Sequence, residues 1–255
     1  MKEEQLRKEI VDYSHRIYAK GWVANHDGNL SVALGGNRWL CTPTAVSKGD
    51  ITPEMLIVVD EKNVVQQGTR KVFSEIALHR AIYNARPDIN CVLHAHPPTA
   101  TGFAVANVPL GDAFMVEPVV SLGKEIPLVP FFAPNDNQLL SALSKALQHA
   151  DVVMLANHGV ISVGGSFEQA FLRMELVEHL AKIALVAKQV GGIVPIPKNI
   201  VEGLVSKGRP ASDTVPMQQK STVDTPTNVE KATGSVSTSR PDLEALVSAS
   251  KRQFL

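Results

Sequence analysis

The chain has 255 residues, 44% of them apolar, enough to fill a sizeable core in one large domain or two small ones. Lys+Arg and Asp+Glu each number 25, so the formal charge is zero and the field that gathers nucleic acid or anionic lipid is missing. Only two cysteines occur, Cys41 and Cys91, which excludes a disulfide framework or a Cys-rich zinc module and suggests two reduced, buried thiols. The opening "MKEEQLRKEIVDY" carries charges where a secretory signal needs an apolar run, and no window nears the roughly 18 uninterrupted apolar residues of a membrane span. The expectation is a cytoplasmic protein that binds neither nucleic acid nor membrane.

In chain order, residues 3 to about 20 read as an amphipathic helix ended at Gly21. "NRWLCTPTA" and "MLIVVD" are short β-rich runs bounded by Gly, Pro and Asp. From Ser74 to about Ala85 the apolar period is helical, and Pro87 closes the element. A strand follows at 90–96, stopped by Pro97 and Pro98, which suit the first turn of a next helix. "NQLLSALSKALQHA" reads as helix, "DVVMLANHG" as a buried strand with a turn, and "GVISV" as a strand. Ser166 with Gln169 forms a capping-box pattern before a long helix that stops at Gly191 and Gly192. These elements span one domain over 1–205. From 206 to 255 the composition turns to Ser, Thr, Pro, Lys and Asp, predicting a flexible polar tail with a short terminal helix in "DLEALVSASKRQFL".

Alternation along the strand at 90–96 puts His94 and His96 on one face and Cys91, Leu93 and Ala95 on the other. Alone, the pair reads either as two metal ligands or as polar surface residues. His158 adds a third imidazole at a strand end, beside Gly159, which permits an unusual turn. Three neutral imidazoles keep the full charge of a divalent ion and leave a coordination position open, as catalytic zinc requires. Glu75, at a helix start upstream, offers a carboxylate as fourth ligand or proton carrier, and burial would raise its pKa toward a useful range. His79, one turn later, either chelates with Glu75 or orients a group that touches the metal. His15, His26, His149 and His179 have no clustered partner in the sequence and read as solvated or packed.

"GNLSV", "CTPTA", "SEIALHRAIYNARPDINCVLHAHPP" and "ANHGV", in this order, give the chain over roughly residues 5–195 a pattern that resembles the class II aldolase/adducin family. The resemblance implies a three-layer α/β/α fold around a mainly antiparallel sheet, assembled as a homo-oligomer, commonly a tetramer with active sites at subunit interfaces. It makes His94, His96 and His158 the metal ligands, with zinc first and manganese or cobalt next. Glu75 becomes the carboxylate that leaves the metal to move protons, and Gly28, Asn29, Thr44 and Ser74 the substrate-phosphate contacts. The shared chemistry is a carbon–carbon cleavage that leaves an enediolate, its charge stabilised by the dication.

Two departures qualify that transfer. Family members carry two consecutive serines before the glutamate, whereas here the first position is Phe73, which offers a phosphate no donor. Arg70, Lys71 or Lys48 would then have to supply anion contacts, or the substrate ends in a carboxylate or aromatic group. The phosphate aldolases also use tyrosines from a neighbouring subunit's loop and from the tail as proton carriers at the aldehyde oxygen. This chain has only Tyr13, Tyr18 and Tyr83, with Phe114 at the loop position. Aldol cleavage of a small hydroxy-ketone therefore stands first, beside decarboxylation of a hydroxylated acid, epimerisation or dehydration. A non-enzymatic reading, an interaction protein like the adducin head, stands against the intact ligand set.

Overall fold

The computed structural model describes residues 3–133 and 136–208. Helix α1 (Glu3–Ala19) is followed by strands β1 (Asn29–Gly35), β2 (Arg38–Cys41), β3 (Ile57–Asp60) and β4 (Val65–Gln67). Helix α2 (Ile76–Ala85), strand β5 (Cys91–Ala95) and helices α3 (Pro98–Val105) and α4 (Val116–Leu122) come next. The chain continues through β6 (Leu128–Val129), α5 (Asn137–Leu147), β7 (Val152–Leu155), β8 (Gly159–Gly164), α6 (Phe167–Gln189) and α7 (Lys198–Gly208).

The eight strands form one sheet in the order β4-β3-β2-β1-β5-β8-β7-β6. β6 and β7 are parallel and the other neighbours antiparallel. Alternation along each strand separates two apolar cores. On one face Leu30, Leu40, Cys91, Leu93 and Met154 pack against α1, α3 and α6 through Ile10, Phe103, Phe167 and Phe171. On the other, Cys41, Ile57, Val92, Val153 and Ile161 pack against α2 and α5 through Ile76, Ile82, Leu143 and Leu147. The result is the expected three-layer α/β/α architecture with a mainly antiparallel sheet. Both cysteines are buried, and desolvation pushes each thiol up to about 12.

Helices α1, α3, α5 and α6 begin where the sequence predicts, for local reasons. Ser166 Oγ accepts from the Gln169 backbone N–H at 3.2 Å, capping α6. The Gln169 side chain reaches back not to Ser166 but to the N–H of Gly165, at 2.8 Å. Strand β1, the short pairs β4 and β6, and helices α4 and α7 went unassigned in the sequence. β6 is two residues long and exists through its pairing with β7. Helix α7 runs to Gly208, beyond residue 205; the tail and its terminal helix from 209 on lie outside the described residues.

Candidate active site

β5 lies between β1 and β8, antiparallel to both, with His94 opposite Asn29 on one side and Ile161 on the other. His94 shares the α2/α5 face with Val92, and its side chain is 2% exposed. This burial rules out the reading as a polar surface pair. His94 Nδ1 hydrogen-bonds the Val160 carbonyl at 3.0 Å, so Nε2 is left for the site. His96, just past the strand, brings its Nε2 within 3.2 Å of His94 Nε2. The tight turn between β7 and β8 carries His158, and the nearest ring nitrogens of the three histidines lie within 4.8 Å of one another.

The turn's strained position is not the one the sequence suggests. Positive φ falls on Asn157 (57°), whose N–H donates to Ala104 O at 3.2 Å, while Gly159 has ordinary backbone angles. Gly159 is needed for space: a Cβ there would run into the His96 ring and lie 2.8 Å from the Ala95 carbonyl. Gly28 does need its conformation, with φ at 67°, and it also lies against the histidine strand. A Cβ on Gly28 would come within 3.0 Å of His94 O.

Glu75 occupies the N-cap position of α2, yet its carboxylate does not cap the helix. One oxygen lies 2.9 Å from His158 Nε2, and the other lies 3.6 Å from His94 Nε2. That second oxygen also accepts a 2.7 Å hydrogen bond from the Asn29 amide. Burial works to raise the pKa of Glu75, but His94, His158 and the Asn29 donor outweigh it and hold the carboxyl well below the ordinary range. The upward shift anticipated from burial alone is thus reversed, because the carboxylate sits against two imidazole rings and an amide donor. Burial lowers His94 to about 4, with Glu75 opposing and the other two imidazoles adding to the shift, so this ring is neutral at physiological pH.

His79 does not chelate with Glu75. It is fully buried, and its Nδ1 pairs with Ser31 Oγ at 2.7 Å. Ser31 Oγ also lies 2.8 Å from the Tyr83 hydroxyl. Burial drops the His79 pKa to about 3, with the nearby His94 ring adding to the effect and Glu75 opposing it. Phe73 stacks edge-on against the His79 ring at 5.0 Å and is 5% exposed, so its phenyl belongs to the core rather than to the substrate side. Of the other residues proposed to contact substrate, Thr44 is half-buried and Ser74 exposed. Their segments run side by side, through the Pro43–Val72 bridge and the Thr44 N–H to Lys71 O bond at 3.0 Å.

Asp27 escaped the sequence reading. Its Oδ2 lies 2.8 Å from His96 Nδ1, the carboxylate–imidazole contact that fixes a ring's tautomer and aim. The only signal was its position next to the Gly28-Asn29 turn. Beside it Lys48 is 1% exposed, its ammonium donating to His26 O at 3.1 Å and to Val46 O at 3.0 Å. Burial pulls Lys48 down to about 8 while Asp27 opposes the shift. Lys48 therefore ties the Asp27 loop in place, whereas Arg70 and Lys71 are exposed. Asp27→Asn should weaken divalent-metal affinity by about 10- to 100-fold, measured by competition with a chromogenic chelator. An unchanged affinity would deny Asp27 that positioning role.

A family model, the Class II Aldolase and Adducin N-terminal domain, matches residues 8–185. The chain belongs to this family. Among similar proteins is the 3-oxo-tetronate 4-phosphate decarboxylase of Escherichia coli strain K12, 28% identical over 188 residues, covering 72% of this chain and 88% of that protein. Another is the 5-methylthioribulose-1-phosphate/5-deoxyribulose-1-phosphate aldolase of E. coli O45:K1 strain S88, 26% identical, covering 77% of this chain and 91% of the relative. A solved L-fuculose 1-phosphate aldolase superimposes with a TM-score of 0.73 at 28% identity, covering 80% of this chain and 95% of that one. These class II aldolase relatives are enzymes, aldolases and a decarboxylase, and so is this chain. No described helix is long and apolar enough to cross a membrane.

Proposed function

We propose that this class II aldolase homologue is a divalent-metal-dependent lyase that breaks a carbon–carbon bond in a small hydroxy-ketone, with aldol cleavage of a sugar phosphate as the reaction. The carrying observation is the convergence of His94, His96 and His158, with Glu75 against His158 at 2.9 Å and His94 at 3.6 Å. The donor set fits a divalent ion. Val160 O and Asp27 occupy the Nδ1 atoms of His94 and His96, which leaves both Nε2 atoms for coordination. Zinc suits three imidazoles best, with manganese or cobalt next. When bound, such an ion provides a sink for the negative charge that develops on the substrate's oxygens as the bond breaks.

The chain's own groups do the rest. Glu75 is ionised at neutral pH and so begins as a base, taking a proton from a substrate hydroxyl and returning it to carbon. Asn29 steadies Glu75 through its amide N–H, while its buried Oδ1 has no protein partner and suits a substrate hydroxyl. Gly28, Thr44 and Ser74 line the approach, with Arg70 and Lys71 near enough in sequence to meet a phosphate. His79 holds the wall behind them. The same reading carries a cytoplasmic homo-tetramer.

Decarboxylation of a hydroxylated acid is the second reading, favoured by the fate of the tyrosines. Tyr13 and Tyr83 are buried, the Tyr83 hydroxyl held by the Ser31 carbonyl at 2.8 Å, and Tyr18 alone of the three is exposed, on α1 and not on the loop. Phe114, at the loop position, packs partly buried against the core. Loss of carbon dioxide needs no proton carrier at an aldehyde oxygen. The deciding experiment sets ketose 1-phosphates against 3-oxo-acid 4-phosphates with the metal-loaded protein, reading aldehyde through a coupled dehydrogenase and carbon dioxide directly. Aldehyde from the ketose phosphates supports the first reading, and faster carbon dioxide release shifts it to the second. Turnover of neither class would sink the lyase proposal.

A further inference from the structure

Helix α3 ties together the segments that carry two of the three imidazoles. His96 stands two residues before its start. At its other end the Asn157 N–H donates to Ala104 O at 3.2 Å and the Asn157 side-chain amide to Val105 O at 3.5 Å, which fastens the turn that carries His158. The centres of the His96 and His158 rings are 5.5 Å apart. His94 needs no such strut, because its strand is paired on both sides within the sheet.

The start of α3 has no local cap. Pro97, at the N-cap, has no side chain that could accept a hydrogen bond, and Pro98 in the first turn carries no N–H. The N–H groups of Thr99 and Ala100 remain as donors that the helix start must satisfy elsewhere. Glu178, on the buried side of α6, takes both. One of its oxygens accepts from the Thr99 N–H at 3.0 Å and from the Ala100 N–H at 2.9 Å, while the other lies 3.2 Å from the Thr99 nitrogen. Glu178 is 2% exposed, with the Lys182 ammonium 3.4 Å away. A carboxylate so far from water is costly unless it is hydrogen-bonded and paired, and two backbone donors at the positive end of a helix meet that need.

We propose that Glu178 is a positioning residue for the metal centre, acting through α3: by holding the start of the helix it fixes where His96 stands relative to His158, and so the shape of the donor set. The inference rests on the metal-dependent reading above. Its consequence is specific. A loosened α3 shifts two ligands against a third that the sheet keeps still, so coordination changes as well as stability.

Cobalt binding to the full chain tests this, because the visible absorption of Co²⁺ reports the number and geometry of its ligands. Glu178→Met keeps the length of the side chain and removes both acceptors. Glu178→Gln keeps one oxygen where the Thr99 and Ala100 N–H groups converge. Ser162→Ala serves as the control: it removes a different buried tie to α6, the 2.8 Å bond from Ser162 Oγ to Ala170 O, and leaves the start of α3 alone. Glu178→Met should weaken cobalt affinity by about 10-fold or more and change the visible band, while Glu178→Gln and Ser162→Ala stay near the parent in both. Should circular dichroism show Glu178→Met unfolded, Glu178→Asp, which draws the carboxylate back by one methylene, should show the same changes in smaller measure. A folded Glu178→Met or Glu178→Asp with the parent's affinity and spectrum would overturn the proposal. An equal loss in Ser162→Ala would overturn it too, by making the effect one of general stability. A parent chain that takes up no cobalt would instead overturn the metal-dependent reading, and this inference with it.

Discussion

Replacing His94 by alanine should strip the divalent ion from the protein and lower turnover by roughly 10³-fold or more, the consequence of losing several kcal/mol of charge stabilisation in the transition state. His94 is the ligand candidate with the least freedom. Its side chain is 2% exposed, its Nδ1 is tied to Val160 O, and its neighbour across the strand is Asn29. His96 is held by Asp27 and His158 already lies against Glu75, so neither ring is free to take the vacated place. The check is metal content per subunit on tag-free protein, with circular dichroism to show that the sheet is intact. A folded variant that retains about one equivalent of metal would remove His94 from the ligand set. One that loses the metal yet keeps its turnover would end the metal-dependent mechanism.

Glu75→Gln should separate the two functions of the site. The amide is nearly the same size and can still accept from Asn29, so the three imidazoles and the ion they hold should be little disturbed. It cannot take a proton, and turnover should fall by about 10²- to 10⁴-fold, the range for loss of a general acid–base group. The loss belongs in kcat, with KM within a few fold of the parent, because the role proposed for Glu75 is on the proton in transit and not on the substrate's outer end. Stopped assays at neutral pH, where the parent's carboxyl is ionised, would read the loss. A variant that turned over at the parent rate would assign the proton transfer elsewhere.

What could be read along the chain was whatever depends on near neighbours. The period of two through "CVLHA" placed Cys91, Leu93 and Ala95 together and His94 opposite them, and the cores divide along that line. Ser166 before α6 and Pro98 at the start of α3 are local signals of the same kind, each decided within one turn of helix. The order of four separated motifs was enough for the family, and with it the layered fold. Short strands such as β6 left no such mark, since pairing and not propensity creates them.

Everything that depends on charges meeting across distant segments came from the folded chain. Glu75 looked like a carboxylate that burial would make hard to ionise, but 19 or more residues away in sequence lie the His94 and His158 rings that reverse the sign. Asp27 carries no signature in "NHDGN", and it matters because β1 runs beside β5 and delivers the preceding loop to His96. Phe73 was legible as a missing phosphate donor, but that its ring turns inward against His79 was not. The residue types and their local periods were set by the sequence. The protonation states and the aim of each imidazole follow from packing, because electrostatics and burial act through space and are blind to position along the chain.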